Sequence, residues 1–191
     1  MFETERLILR GFRDSDMDYL LKLWNNRVTQ RFFYLDYVAP KGEKFVKESI
    51  KPDMEKAALH VMITSKEKKN ENGEGEVMGY AALTILVPKN REGYLEIGLL
   101  PEWQSKGYGT EAMRFMVDHG FREFQLHRAT LEVLEGNVAA RTVYSKIGFK
   151  EEGRRRRQNW VDGHWEDVFI MGMLDDEWAE DYKQRQQQKY K

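Results

Sequence analysis

The sequence predicts an α+β fold, a twisted and largely antiparallel sheet of six or seven strands flanked by helices. Three observations predict it. Residues 59–100 hold three strand-like apolar runs joined by polar turns, an antiparallel meander. Beyond residue 108, two stretches repeat apolar residues at helical spacing, with a strand-like run between them. Residues 149–174 read as two extended arms around Asp162-Gly163, a hairpin. The 191 residues suit one domain, and 41% hydrophobic with 33% charged residues is an ordinary globular balance.

The elements follow in order. Residues 5–12 (ERLILRGF) predict a strand with Leu7 and Leu9 on one face, Ile8 and Arg10 on the other. Asp14-Ser15-Asp16 starts a helix that runs to about Asn25, with Met17, Leu20, Leu21 and Trp24 as its core face. Residues 29–40 (TQRFFYLDYVAP) are dense in aromatics. Two readings stand for them, a short helix packed on the sheet and a lid over a substrate. A short helix is expected near Gly42–Ser49.

Strands are expected over Leu59–Ser65 and Val77–Val87, with the polar segment 66–76 (KEKKNENGEGE) as a flexible hairpin loop. Pro88–Gly93 is a turn into the strand Tyr94–Leu100. A helix from about Thr110 carries Met113, Met116, Val117, Gly120, Phe121 and Phe124 on one face, and Arg114, Asp118 and Arg122 away from it. After a strand at Ala129–Glu135, Asn137 is a helix cap. Ala140, Val143, Tyr144 and Ile147 then fall at i, i+3, i+4 and i+7 before Gly148. In the final hairpin Val168, Ile170 and Gly172 share a face. Residues 175–191 form a polar tail, a frayed helix or disordered, outside a domain of residues 1–174.

Composition excludes several classes. A net charge of −1 gives no pull toward nucleic acid or an anionic membrane. The run Arg154–Arg157 alternates between strand faces, so no single face carries all four cations. There is no cysteine, hence no disulfide, no Cys nucleophile and no thiolate metal site. His60, His119, His127 and His164 lack ligand spacing, so no metal is expected. No stretch has the length of a signal peptide or membrane span, and the expected compartment is the cytoplasm.

Gln104-Ser105-Lys106-Gly107-Tyr108-Gly109-Thr110 joins the strand to the following helix. Glycines before a helix N-terminus leave backbone N–H groups free, and the helix dipole adds positive potential, which suits a phosphate. Gly107 to Ala112 fits the G-x-G-x-x-A dinucleotide fingerprint, with Glu132 at ribose distance. That reading fails on context. Pro101, Trp103 and Gln104 intervene after the strand, and an antiparallel meander precedes it.

The Gln-x-x-Gly-x-Gly loop is followed about thirty residues later by Asn137-Val-Ala-Ala140-Arg-Thr-Val-Tyr144-Ser-Lys-Ile-Gly148-Phe149. With these blocks the chain closely resembles the GNAT superfamily, the Gcn5-related N-acetyltransferases. Thr4–Arg10, Glu96-Ile97-Gly98, Pro101-Glu102-Trp103, Glu152-Gly153 and Asp162-Gly163 resemble its branch of ribosomal-protein alanine and spermidine acetyltransferases. The insert 66–76 and the run Arg154–Arg157 depart from that pattern, outside the cofactor motifs.

The resemblance implies a three-layer GNAT-like fold and direct acetyl transfer from acetyl-CoA to a primary amine, which could be a protein N-terminus, a polyamine or a small amine. It implies that Ser105–Thr110 hold the pyrophosphate. Gln104 belongs to the same motif and Lys106 adds charge. Leu99 and Leu100 pair their backbone with the pantetheine arm, in the manner of an added strand, and Asn137 hydrogen-bonds that arm. Tyr144 is the general acid toward the CoA sulfur. Glu96, a carboxylate within an apolar strand, is a candidate base. Glu132, a structural ion pair at Glu96, and catalysis without a side-chain base stay open beside it. A monomer or homodimer is expected. The alternative class is a non-catalytic acyl-CoA-binding or partner-binding protein of the same fold.

Overall fold

The computed structural model describes residues 1–33 and 37–189, so Tyr34, Leu35 and Asp36 of the aromatic stretch lie outside the described residues. Among the described residues eight strands, β1 (Phe2–Glu3), β2 (Leu7–Arg10), β3 (Leu59–Lys69), β4 (Gly75–Val87), β5 (Glu92–Leu99), β6 (Arg128–Leu134), β7 (Lys150–Val161) and β8 (His164–Leu174), form one sheet in the order β1-β2-β3-β4-β5-β6-β8-β7. The sequence pattern predicts six or seven. The two-residue strand β1 (Phe2–Glu3) is too short to show any periodicity. The chain divides into two compact units, Met1–Thr84 with Glu96–Met113, and Ile85–Leu95 with Arg114–Lys191.

In the first unit β2 (Leu7–Arg10) pairs antiparallel with β1 and with β3 (Leu59–Lys69), and β3 with β4 (Gly75–Val87). Leu7 and Leu9 are fully buried, as the alternation requires. Asp14–Asp16 is a 3-10 turn leading into α1 (Met17–Asn25). Asp16 is buried and takes Arg10 as a two-pronged partner at 2.7 and 2.7 Å, together with the Arg13 N–H at 2.9 Å. A buried carboxylate with a fork of donors is compensated, and it ties the helix start to β2. Leu20, Leu23 and Trp24 form the buried face of α1. Met17 and Leu21 are only partly covered.

The helix α2 (Arg27–Phe33) starts the aromatic stretch. The helix expected at Gly42–Ser49 is longer. It runs as α3 (Glu43–Phe45), a π turn (Val46–Ile50) and α4 (Lys51–Lys56). Pro52, which has no N–H to donate, follows directly on the π turn, whose register shift is seen in the Lys51 N–H bonding the Val46 carbonyl. The loop expected at 66–76 is also mostly strand, because β3 reaches Lys69 and pairs it with Gly75. Only 70–74 turn. The Asn70 side chain accepts the N–H groups of Asn72 and Glu74, and Gly73 takes φ +75°.

In the second unit the start of β5 (Glu92–Leu99) runs parallel to β6 (Arg128–Leu134). That register comprises Glu92↔Arg128, Gly93↔Ala129 and Tyr94↔Thr130, although both strands run on. β6 pairs antiparallel with β8 (His164–Leu174), and β8 with β7 (Lys150–Val161). Asp162 and Gly163, both at positive φ, make the two-residue turn.

The helix α5 (Tyr108–Glu123) begins two residues before the expected Thr110 and buries Met113, Met116, Val117 and Phe121. The polar tail is an ordered helix, α7 (Asp175–Lys189). Asp118, expected to face away, receives the Trp178 indole N–H at 2.9 Å and Arg185 at 2.9 and 2.7 Å. Trp178 also stacks on Phe121, with ring centres 5.2 Å apart. These partners lie about 60 residues away in sequence, beyond any local pattern.

Candidate active site

In the first unit the strand–loop–helix stands where the motif predicts. Leu100 is fully buried and donates its N–H to Met78, and its carbonyl accepts from Trp103. The Gln104 side chain donates to the Leu99 carbonyl at 2.8 Å, tying the loop to the end of β5. Ser105 and Gly107 both take positive φ, 57° and 84°. The chain thereby curls, and its N–H groups turn to one side.

The helix's first bond is Glu111 N–H to the Gly107 carbonyl, at 3.0 Å. The N–H groups of Tyr108, Gly109 and Thr110 therefore have no helical acceptor. Together with those of Ser105, Lys106 and Gly107, six successive amides lack an acceptor among the described residues. Such a cradle fits a pyrophosphate. The Lys106 ammonium reaches the Glu102 carbonyl at 2.6 Å, so its charge is held on the far turn of the loop. Tyr108 packs edge-on against Trp103 at 5.8 Å.

Sequence reasoning missed the brace of this loop. Glu111 accepts from the Thr4 hydroxyl at 2.5 Å, the Arg6 backbone N–H at 2.8 Å and the Arg6 Nε at 2.7 Å. Burial pushes the Glu111 pKa up, and the Thr4 and Arg6 donors outweigh it, so the group lies below its ordinary value. Thr4 and Arg6 were visible as part of a motif, but nothing local links them to a residue over a hundred positions away.

Glu96 is the other candidate in this unit. Water reaches its side chain, and among the described residues it carries no hydrogen bond or ion pair. Protein atoms crowd it on the remaining sides. That partial desolvation raises its pKa, and the nearby charge of Asp53 raises it further. The structural ion pair considered for Glu96 is absent among the described residues.

In the second unit Asn137 caps α6 (Val138–Ile147), its side-chain oxygen accepting the Ala140 N–H at 3.1 Å. The carboxamide nitrogen has no acceptor among the described residues and can donate to a ligand. Tyr144 lies two turns further on, is 8% exposed, and meets Phe149 edge-on at 6.1 Å.

Glu132 is held by Arg155 at 2.7 Å. Arg154 spans Glu135 at 2.8 Å and Asp167 at 2.5 Å. The arginine run thus neutralises the carboxylates of its own sheet, and a bulge between Arg155 and Asn159, with Arg157 at φ 50°, breaks its alternation. No cluster of metal-ligating side chains occurs among the described residues.

The family model of the acetyltransferase (GNAT) domain matches residues 6–150. The chain belongs to the GNAT acetyltransferase family and is an acetyl-CoA-dependent N-acetyltransferase. It is 26% identical to spermidine N(1)-acetyltransferase of Escherichia coli K12 over 175 residues, 92% of this chain and 89% of that protein. It is 31% identical to the putative ribosomal N-acetyltransferase YdaF of Bacillus subtilis over 105 residues, 55% of this chain and 57% of that protein. Its fold superposes with a TM-score of 0.77 on the crystal structure of a Vibrio cholerae spermidine N-acetyltransferase in complex with CoA and spermine. That match has 21% identity and covers 92% and 99% of the two chains.

Proposed function

We propose that this acetyltransferase acetylates a primary amine of a polyamine, using the loop Gln104–Thr110 for the cofactor pyrophosphate and Tyr144 as general acid. The observation that carries the cofactor half is the row of six amide N–H groups without acceptors at the start of α5. The polyamine assignment rests on the spermidine acetyltransferase likeness, which extends over 92% of the chain. The ribosomal relative, more identical over a shorter span, favours a protein N-terminus as the second reading.

The chemistry assigns each group a task. The amine nitrogen attacks the thioester carbonyl, a C–N bond forms and the C–S bond breaks. A free alkylamine is protonated at neutral pH, with pKa near 10.4, and must first lose a proton. Glu96, directly or through water, is the group we assign to receive it; its raised pKa makes it a better base than an ordinary carboxylate. The departing thiolate, with a thiol pKa of roughly 8.5, takes a proton from Tyr144, and the second proton that the nitrogen sheds in becoming an amide returns Tyr144 to its neutral form. Without cysteine, no thiol nucleophile is available, which favours direct transfer. We assign the pantetheine arm to the end of β5 at Leu99 and Leu100 and to the free amide nitrogen of Asn137.

We assign catalysis to residues 1–174, with α7 as an appended helix, and place the enzyme in the cytoplasm. No described helix is long and apolar enough to cross a membrane. The test is a panel of spermidine, spermine, peptide N-termini and small amines, with release of free CoA thiol as the readout. Fastest turnover on polyamines supports the assignment. Turnover confined to peptides transfers it to the second reading. Tight acetyl-CoA binding with no turnover on any amine overturns the catalytic assignment.

A further inference from the structure

We infer that Arg6 is a positioning residue for the anion-binding loop, acting from the position just before β2; this rests on the acetyl-CoA reading above. Its guanidinium makes three distinct contacts. Nη1 donates to the Lys106 carbonyl at 3.0 Å, Nε donates to Glu111 at 2.7 Å, and the plane covers the Tyr108 ring at 4.5 Å from its centre. A Cβ on Gly107 would stand 3.1 Å from Nη2, so the guanidinium lies directly against the glycine.

Two physical effects follow. The Lys106 carbonyl and the Gly107 N–H belong to one trans peptide plane and point in opposite directions. Holding that carbonyl on Arg6 turns the Gly107 N–H away from Arg6, toward the side an anion must occupy. The second effect is electrostatic. Glu111 sits in the first turn of α5, where a bare carboxylate would repel a phosphate and cancel the dipole. Arg6 and Thr4 bind both of its oxygens and direct its charge into the protein. Arg6 therefore acts on the cofactor through the loop, and the pyrophosphate is the portion it governs.

The test compares two acetyl donors, acetyl-CoA and S-acetylpantetheine, which lacks the pyrophosphate. Wild type, Arg6→Ala, Arg6→Lys and Glu111→Gln are assayed with the best amine, and each is checked by thermal unfolding. For Arg6→Ala the KM for acetyl-CoA should rise about tenfold, the scale of one charge-assisted hydrogen bond. The kcat at saturation and the activity with S-acetylpantetheine should change less than about threefold, on the same scale. Arg6→Lys, which keeps the charge without the fork, should fall between. Equal losses with both donors, or an unchanged preference for acetyl-CoA, overturn the role of Arg6. If Arg6→Ala does not fold, Arg6→Lys and Glu111→Gln decide by the same ratio. A wild type that shows no preference for acetyl-CoA instead overturns the loop reading, and the Arg6 inference falls with it.

Discussion

Trp178 of α7 donates its indole N–H to Asp118 of α5 at 2.9 Å, and Arg185, two turns further along α7, grips the same carboxylate at 2.9 and 2.7 Å. One carboxylate thus docks a helix that its own sequence does not mark as amphipathic. Arg185 also pairs with Asp181 at 2.6 Å, and both acids raise its pKa. Asp118→Ala leaves the part-buried guanidinium with one partner and the indole with none. The expected loss is about 2 kcal/mol, or roughly 4–8 °C in Tm for a chain of this size. Thermal unfolding by circular dichroism measures it. Deleting α7 should cost more, because Phe121 then loses its cover.

Tyr144→Phe removes a hydroxyl and keeps the ring against Phe149. Turnover should fall by about 10²–10³-fold, within the range of a lost general acid. The Kd for acetyl-CoA, measured by calorimetry, should stay within a factor of about two by the same division between binding and chemistry. Near-wild-type turnover would remove Tyr144 from the proton transfer.

Glu96 must be ionised to accept a proton. Its raised pKa moves the acidic limb of the kcat/KM profile above the usual carboxylate range, so activity should climb with pH through that elevated value. Glu96→Gln should erase this limb and lower the plateau by about 10-fold or more. An unchanged limb in the variant would assign the titration to another group.

His60 stacks on Tyr80 at 5.4 Å, and its Nε2 is buried without a partner among the described residues. Burial pushes its pKa down to about 4, against the partial counter-pull of Asp16. The unfolded chain therefore binds the proton first. His60 weakens the fold as pH falls from about 6.5 toward 4 and is neutral in effect above that window. Stability should drop by on the order of 1–3 kcal/mol across it. His60→Gln should flatten this part of the pH dependence in denaturant titrations.

Much of this molecule was legible in local pattern. The alternation of Leu7 and Leu9, the helical period of Met113, Met116 and Val117, and the Asp162-Gly163 turn each express a backbone preference within a few residues. The Asn137 cap was legible for the same reason. The π turn before Pro52 was not, because one shifted hydrogen bond leaves no trace in residue spacing. The extension of β3 to Lys69 was hidden by charge, since an exposed strand end can be as polar as a loop. The ion pairs that occupy Glu132 and Arg155 depend on which strands become neighbours.

The sequence by itself determined the family and the cofactor: the two glycine-bearing blocks are local chemistry, a helix start that leaves amides open and a capped helix carrying a tyrosine. Tertiary structure alone decided how those amides are aimed and which carboxylates pair among the described residues. Arg6 reaches Lys106 and Glu111 across about a hundred residues, while among the described residues no arginine pairs with Glu96. Such pairings depend on distance in space, and a linear pattern records only distance along the chain.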